Sequence, residues 1–258
     1  VGTDNGELAI FTGPGLTNQV GEVSLGGPGS ILAIELRDTD AFVTVKDGGL
    51  WILDLSNPAT PAVVSRWPES GDTFPGLALS TDYAFLTAPG GLQVLSLTNI
   101  AAPVPVGFTN VPGQLTGVRV AGEYAYVAAG SSGLEILSVT NPAAPVLIAG
   151  VETDGFALAV ALYGHYAIVA DDLGGMSVID VADPAHPVLV SGVPAGVPPA
   201  NDDFANRIAI PPDNCPTEMT GTSRYATREI GEPDHAGPAG GRSGWGRWTG
   251  PFSGRVTR

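Results

Sequence analysis

The chain has 258 residues, 43% hydrophobic and only 14% charged, with 36 Gly and 23 Pro. That supplies ample material for a core, and a Gly/Pro content suited to many short strands joined by tight turns rather than to long helices. The whole formal charge of −15 sits on residues 1–197, where Arg37, Lys46, Arg66 and Arg119 face 19 acidic residues; such a surface repels phosphate backbones and anionic lipid, which argues against nucleic-acid and membrane partners.

An apolar residue recurs every 42 residues, at Leu8, Leu50, Leu92, Leu134 and Met176, and each opens a strand-like apolar run. A period held without insertions marks one supersecondary unit copied and stacked on its neighbours. At roughly 40–50 residues, rich in short strands, the unit has the size of a four-stranded propeller blade. The fold class expected is therefore all-β: a β-propeller, then a partial β-sandwich or jelly-roll segment. Almost no helix is expected, because no window holds a 3.6-residue period.

Residues 1–30 read as only a third and a fourth strand, so the chain opens inside a blade, as a fragment of a larger ring. Complete blades are expected at 31–70, 74–109, 115–152 and 157–193. In the third of these, Val118-Arg119-Val120 opens the blade and Tyr124-Ala125-Tyr126-Val127-Ala128 forms its buried second strand. Leu134 to Val139 and Val146-Leu147-Ile148-Ala149 supply the third and fourth strands. Before each outer strand stands a turn such as Ser56-Asn57-Pro58-Ala59-Thr60-Pro61. Its Asn or Asp accepts from the backbone two residues on, and the following Pro presets φ for a type I turn. Ile100 replaces that Pro in one copy and is expected to loosen it. The core between blades is expected to hold Leu50, Ile52, Leu92, Val94, Leu134, Ile136, Met176 and Val178, with Phe42, Phe85, Tyr126 and Ile168 beside them.

Residues 194–200 form a Pro/Gly linker, and beyond it the period is lost. Residues 201–258 carry a different pattern, including Trp245-Gly246-Arg247-Trp248-Thr249-Gly250-Pro251 and Ser253-Gly254-Arg255-Val256. The run 156–170 is interrupted by Gly164-His165 and is too short to span a bilayer, so no direct membrane insertion is expected. A single cysteine, Cys215, rules out an intrachain disulfide and leaves export open. The chain begins at Val1 with no signal-peptide pattern, read here as a truncated N-terminus.

The repeated string Gly-Gly-Leu-x-Ile/Val-Leu/Ile-Asp/Ser-Leu/Val-Ser/Thr-Asn/Asp-Pro-x-x-Pro-Val resembles the LVIVD repeat of bacterial and archaeal extracellular proteins, across residues 1–193. That resemblance implies a β-propeller with a scaffold or cell-surface role, an extracellular or cell-surface location, and no shared catalytic residues. The 201–258 segment is similar to the start of a pre-peptidase C-terminal jelly-roll module, a module seen beside repeats and proteases in large bacterial exported proteins.

Candidate ligands are few. Asp171-Asp172 follows a second strand where other blades have Ala-Pro or Ala-Gly, and adjacent loop carboxylates suit weak Ca²⁺ binding. Asp202 and Asp203 form a second acidic candidate for Ca²⁺. His165 and His186 lie in turns of one blade and would need a third ligand such as Asp183 to hold a metal; solvated turn residues are the simpler account. No Ser–His–Asp order, nucleophile elbow or phosphate loop occurs, Cys215 lacks a basic neighbour, and the innermost strands offer mainly Gly, Ala, Val and Leu with Arg119. No catalytic residue and no cofactor other than weak Ca²⁺ is expected. The reading is a non-catalytic binding or scaffold module acting on an unknown protein or cell-surface partner. The alternative is a propeller hydrolase or oxidoreductase whose active residues lie in blades absent from the chain.

Overall fold

A computed structural model describes residues 1–4, 6–12, 18–26, 29–68, 72–193, 208–210 and 246–248. Two compact units emerge, Val1–Val193 and Pro194–Arg258.

The described residues of the first unit form eighteen strands between Glu7 and Val193. β1 (Glu7–Thr12) and β2 (Asn18–Ser24) form a two-stranded sheet. Four four-stranded antiparallel meanders follow. The first is β3 (Ile31–Arg37), β4 (Asp40–Val45), β5 (Gly49–Asp54) and β6 (Ala62–Trp67). The second is β7 (Leu77–Leu79), β8 (Tyr83–Ala88), β9 (Gly91–Ser96) and β10 (Val104–Asn110). Next come β11 (Gly117–Ala121), β12 (Tyr124–Ala128), β13 (Leu134–Ser138) and β14 (Val146–Val151), then β15 (Ala159–Tyr163), β16 (Tyr166–Ala170), β17 (Met176–Asp180) and β18 (Val188–Val193). The helical content of the described residues is a single 3₁₀ turn, Asp172–Gly174. These meanders are the blades expected from the 42-residue period.

Stacking on both faces explains why the middle strands read as continuous apolar runs. On β5, Leu50 and Ile52 join Phe42 in a cluster with Leu77, Ala84, Leu86 and Leu95 of the next sheet. Leu92, Val94 and Phe85 pack in the same way on Val118, Val127 and Leu137. Leu134, Ile136 and Tyr126 pack on Val160, Val169 and Ile179. Each third strand thus sends alternate side chains forward and backward, and the backward-facing set Leu53, Leu95, Leu137 and Ile179 is buried as fully as the forward-facing Leu50, Leu92 and Leu134.

Two sequence expectations need correction. Met176 is 41% exposed and Val178 and Ile168 are only half-buried, because no described sheet lies on the forward face of β17. Ile100 does not loosen its turn. Asn99 Oδ1 accepts from the Ala101 N–H at 3.1 Å and its carbonyl from the Ala102 N–H at 3.0 Å, as in the Asn57, Asn141 and Asp183 turns. Ile100 instead packs against the cluster around Phe42, and a type I turn accepts most residues at that position. Residues 1–30 supply the two strands expected of them, β1 and β2; Val1 and Ala9 also exchange backbone hydrogen bonds, and Gly2 forms an isolated antiparallel bridge to Leu8.

In all four meanders the outer strand skips one residue against its neighbour, at Val64, Val106, Ile148 and Val190, each one period apart. In the second unit, β19 (Ile208–Ile210) pairs in parallel with β20 (Gly246–Trp248). The remainder of the linker and of the jelly-roll expectation lies outside the described residues.

Candidate binding clefts

The innermost strands of the four blades line a cavity of about 290 Å³ that includes Ile34, Glu35, Gly76, Gly117, Arg119 and Ala159. Small residues are needed where these strands converge: a Cβ on Gly76 would lie 2.9 Å from the Gly117 Cα, and one on Gly117 would lie 3.1 Å from the Ala159 Cα. Arg119 reaches across this space to Glu35 at 3.1 Å and also donates to its neighbour's carbonyl at Val118. The two charges of the axial cavity satisfy each other. Glu35 escaped the sequence reading because its partner lies two blades away and no local spacing links them.

Asp171 is fully buried, and its carboxylate is occupied by protein. Oδ1 accepts from the Thr153 hydroxyl at 2.6 Å, and Oδ2 accepts from the Gly155 N–H at 2.9 Å and the Ser177 hydroxyl at 3.4 Å. These bonds tie the connector entering the fourth blade to the end of β16. In the second blade Thr87, one residue before the equivalent of Asp171, anchors a connector in a comparable way, its hydroxyl accepting from the Gly76 N–H at 2.6 Å. The carboxylate therefore has a structural job that a hydroxyl performs elsewhere. Asp172 is exposed and sits at φ 46° in the 3₁₀ turn. Asp202 and Asp203 lie outside the described residues, as do Cys215 and His235.

His186 meets the Asp183 carboxylate at 2.9 Å on an exposed turn, and that contact, with the Ala185 N–H, holds the Asp183 carboxyl below its usual range. His165 packs its ring on Tyr166, 4.1 Å between centroids. Among the described residues no three His, Cys, Asp or Glu side chains gather where they could share a metal ion.

A different acid stands out. Glu135 projects from β13 toward the preceding blade and is only 7% exposed. It lines a cleft of about 560 Å³ with Pro112, Ser131, Ser132, Gly150 and Glu152. Gly150 lies beside it on β14, close enough that a Cβ there would come within 2.6 Å of Oε2. Burial pushes the Glu135 carboxyl up to about 7. The repeat contained the signal. The equivalent positions are Trp51, Gln93 and Ser177, so Glu135 is a charge set into an otherwise uncharged series and flanked by Leu134 and Ile136.

The LVIVD repeat model matches residues 34–67, 112–153 and 154–194. These three stretches together make up less than half of the chain. They coincide with the first, third and fourth complete blades, and the second blade continues the same period between them. No curated protein sequence matches the chain. Among solved structures, the chain is similar to the computationally designed Ika8 protein (13% identity, TM-score 0.57), covering 74% of this chain and 57% of that one. It is also similar to a functionally unknown protein from Desulfotomaculum acetoxidans DSM 771 (12% identity, TM-score 0.62, 74% and 63% covered). A third likeness is to BamB from Moraxella catarrhalis (14% identity, TM-score 0.56, 72% and 55% covered). At these identities the likeness carries the propeller-like fold alone. The chain spans between 55% and 63% of the length of these structures.

Proposed function

We propose that this chain is a non-catalytic binding and scaffold module of an exported or cell-surface protein, acting through protein–protein contacts. The observation that carries the reading is the forward face of the fourth blade. Met176, Ala170 and Val190 (41% and 55% exposed for Met176 and Val190) occupy positions that are more deeply buried one blade earlier, where Leu134 and Ala128 are wholly covered by the next sheet. A strand face built to receive a sheet and left open to solvent is an interaction surface. The occupant that fits is another blade-type sheet, apolar and rich in small side chains, since three such sheets already occupy the equivalent faces within the chain. The acidic surface directs the module toward protein rather than nucleic-acid partners. The 201–258 segment enters the proposal as a jelly-roll-like companion module, and no cofactor is part of it.

Sedimentation velocity and binding of an apolar-surface dye, on the wild type and an Ala170→Glu/Met176→Glu variant, test the reading. The wild type should bind dye and associate, and the variant should lose both while melting at an unchanged temperature. A wild type that binds no dye and stays monomeric at ~100 μM would overturn it. Assays of ester, lactone and dye-coupled redox turnover should show none; saturable turnover lost in Glu35→Gln would favour a propeller enzyme instead.

A further inference from the structure

We infer that the cleft over Glu135 binds a protonated primary amine, as presented by a lysine side chain or a free alkylamine. Glu135 is a buried acidic residue whose carboxylate no contact of the fold accounts for. A charge that the fold mostly covers is costly unless it is paired, and Glu135, more than nine-tenths buried with its carboxylate opening on the cleft, makes no hydrogen bond or ion pair within the described residues.

The other blades show what this position does when it serves the fold alone. The Trp51 Nε1–H donates to the Gly48 carbonyl at 3.1 Å. The Gln93 amide donates to the Gly107 and Val94 carbonyls at 2.8 and 3.0 Å. The Ser177 hydroxyl donates to Asp171. Each is satisfied from inside the protein. Glu135 alone of this series carries a charge, and it faces a cleft.

The walls of that cleft select the ligand. Glu135 and Glu152 make it anionic, Ser131 and Ser132 offer hydroxyl oxygens as acceptors, and no basic side chain lines it. Gly150 leaves the carboxylate accessible where a methyl group would crowd it. At about 560 Å³ the cleft is far larger than a bare ion requires, and its acids do not form a group of three that could hold a metal. An ammonium group brings three N–H donors to oxygens that are all acceptors, and an aliphatic stem can lie along Pro112 and Leu147.

Calorimetric titration of the full chain with n-butylammonium, the peptide Gly-Lys-Gly and Ca²⁺ tests the inference. At least one amine should bind saturably, at least 10-fold more weakly to Glu135→Gln and to Gly150→Ala, and unchanged to Glu123→Gln, which alters an exposed acid elsewhere. Tighter binding of the peptide than of butylammonium would identify a protein lysine as the source; equal binding would identify a small amine. Absence of saturation by either amine at ~50 mM, equal affinity in Glu135→Gln, or saturation by Ca²⁺ alone would overturn it.

Discussion

Arg119 and Glu35 are 84 positions apart in the chain and 3.1 Å apart in space, joined across the axial cavity from the third blade to the first. Their side chains are 49% and 31% exposed, so water screens much of the attraction. Arg119→Ala or Glu35→Gln should each cost less than ~1 kcal/mol in denaturant unfolding, with the cost shrinking further at 1 M salt. A loss of several kcal/mol would mean that the pair holds the ring of blades together rather than merely spanning it.

Paired truncations separate covered from uncovered blade faces. Leu134→Ala removes a wholly buried side chain between the third and fourth blades and should cost about 2–5 kcal/mol. Met176→Ala, one period later and 41% exposed, should cost under ~1 kcal/mol. Equal costs from chemical denaturation would show that something covers Met176 in solution.

Thr44 is the next-to-last residue of β4, and its hydroxyl is buried without a hydrogen-bond partner. Replacing a buried unsatisfied hydroxyl with a methyl of the same shape removes a desolvation cost. Thr44→Val should therefore leave stability unchanged or raise it by up to ~1 kcal/mol, read as a higher melting temperature. A lower one would mean that the hydroxyl finds a partner, such as an internal water.

The buried Glu135 makes stability depend on pH. Its carboxyl is raised in the folded protein to about 7, against an ordinary value of 4.5, so the native state holds this proton more tightly than the unfolded chain does. The resulting stabilisation is fully present below about pH 4.5 and is lost as pH rises to about 7, an effect on the order of 3 kcal/mol at most. Glu152 is the other acid lining the cleft, and no basic side chain lines it. Glu135→Gln should flatten the melting temperature between pH 5 and 8 relative to wild type. Parallel profiles for the two proteins would place the titration elsewhere.

Local chemistry made the blades legible. The Asn57, Asn99 and Asn141 turns, and the alternation that sends Leu50 and Ile52 one way and Leu53 the other, depend on neighbours within one period, and that is what a repeat displays. Met176 misled because burial belongs to a pair of sheets, and an identical pattern stays open when no second sheet lies over it. Glu35 was invisible for a related reason, since only the convergence of the innermost strands brings it to Arg119. Asp171 looked like a ligand because its loop departs from the other blades, yet the departure supplies a hydrogen-bond anchor for Thr153 and Gly155. Glu135 departs from the repeat as well, and burial without a partner is what distinguishes the two; a linear sequence displays neither.

The skipped residues at Val64, Val106, Ile148 and Val190 have a consequence for how the molecule avoids its own kind. Each fourth strand is a sheet edge with unpaired backbone groups, a template on which another chain could add itself. A one-residue bulge twists such an edge out of register, and Pro61, Pro103, Pro145 and Pro187 remove donors at its entrance. Protection repeated with the same period as the blades lets a protein be built from many copies of one strand pattern without seeding edge-to-edge polymerisation at any of them.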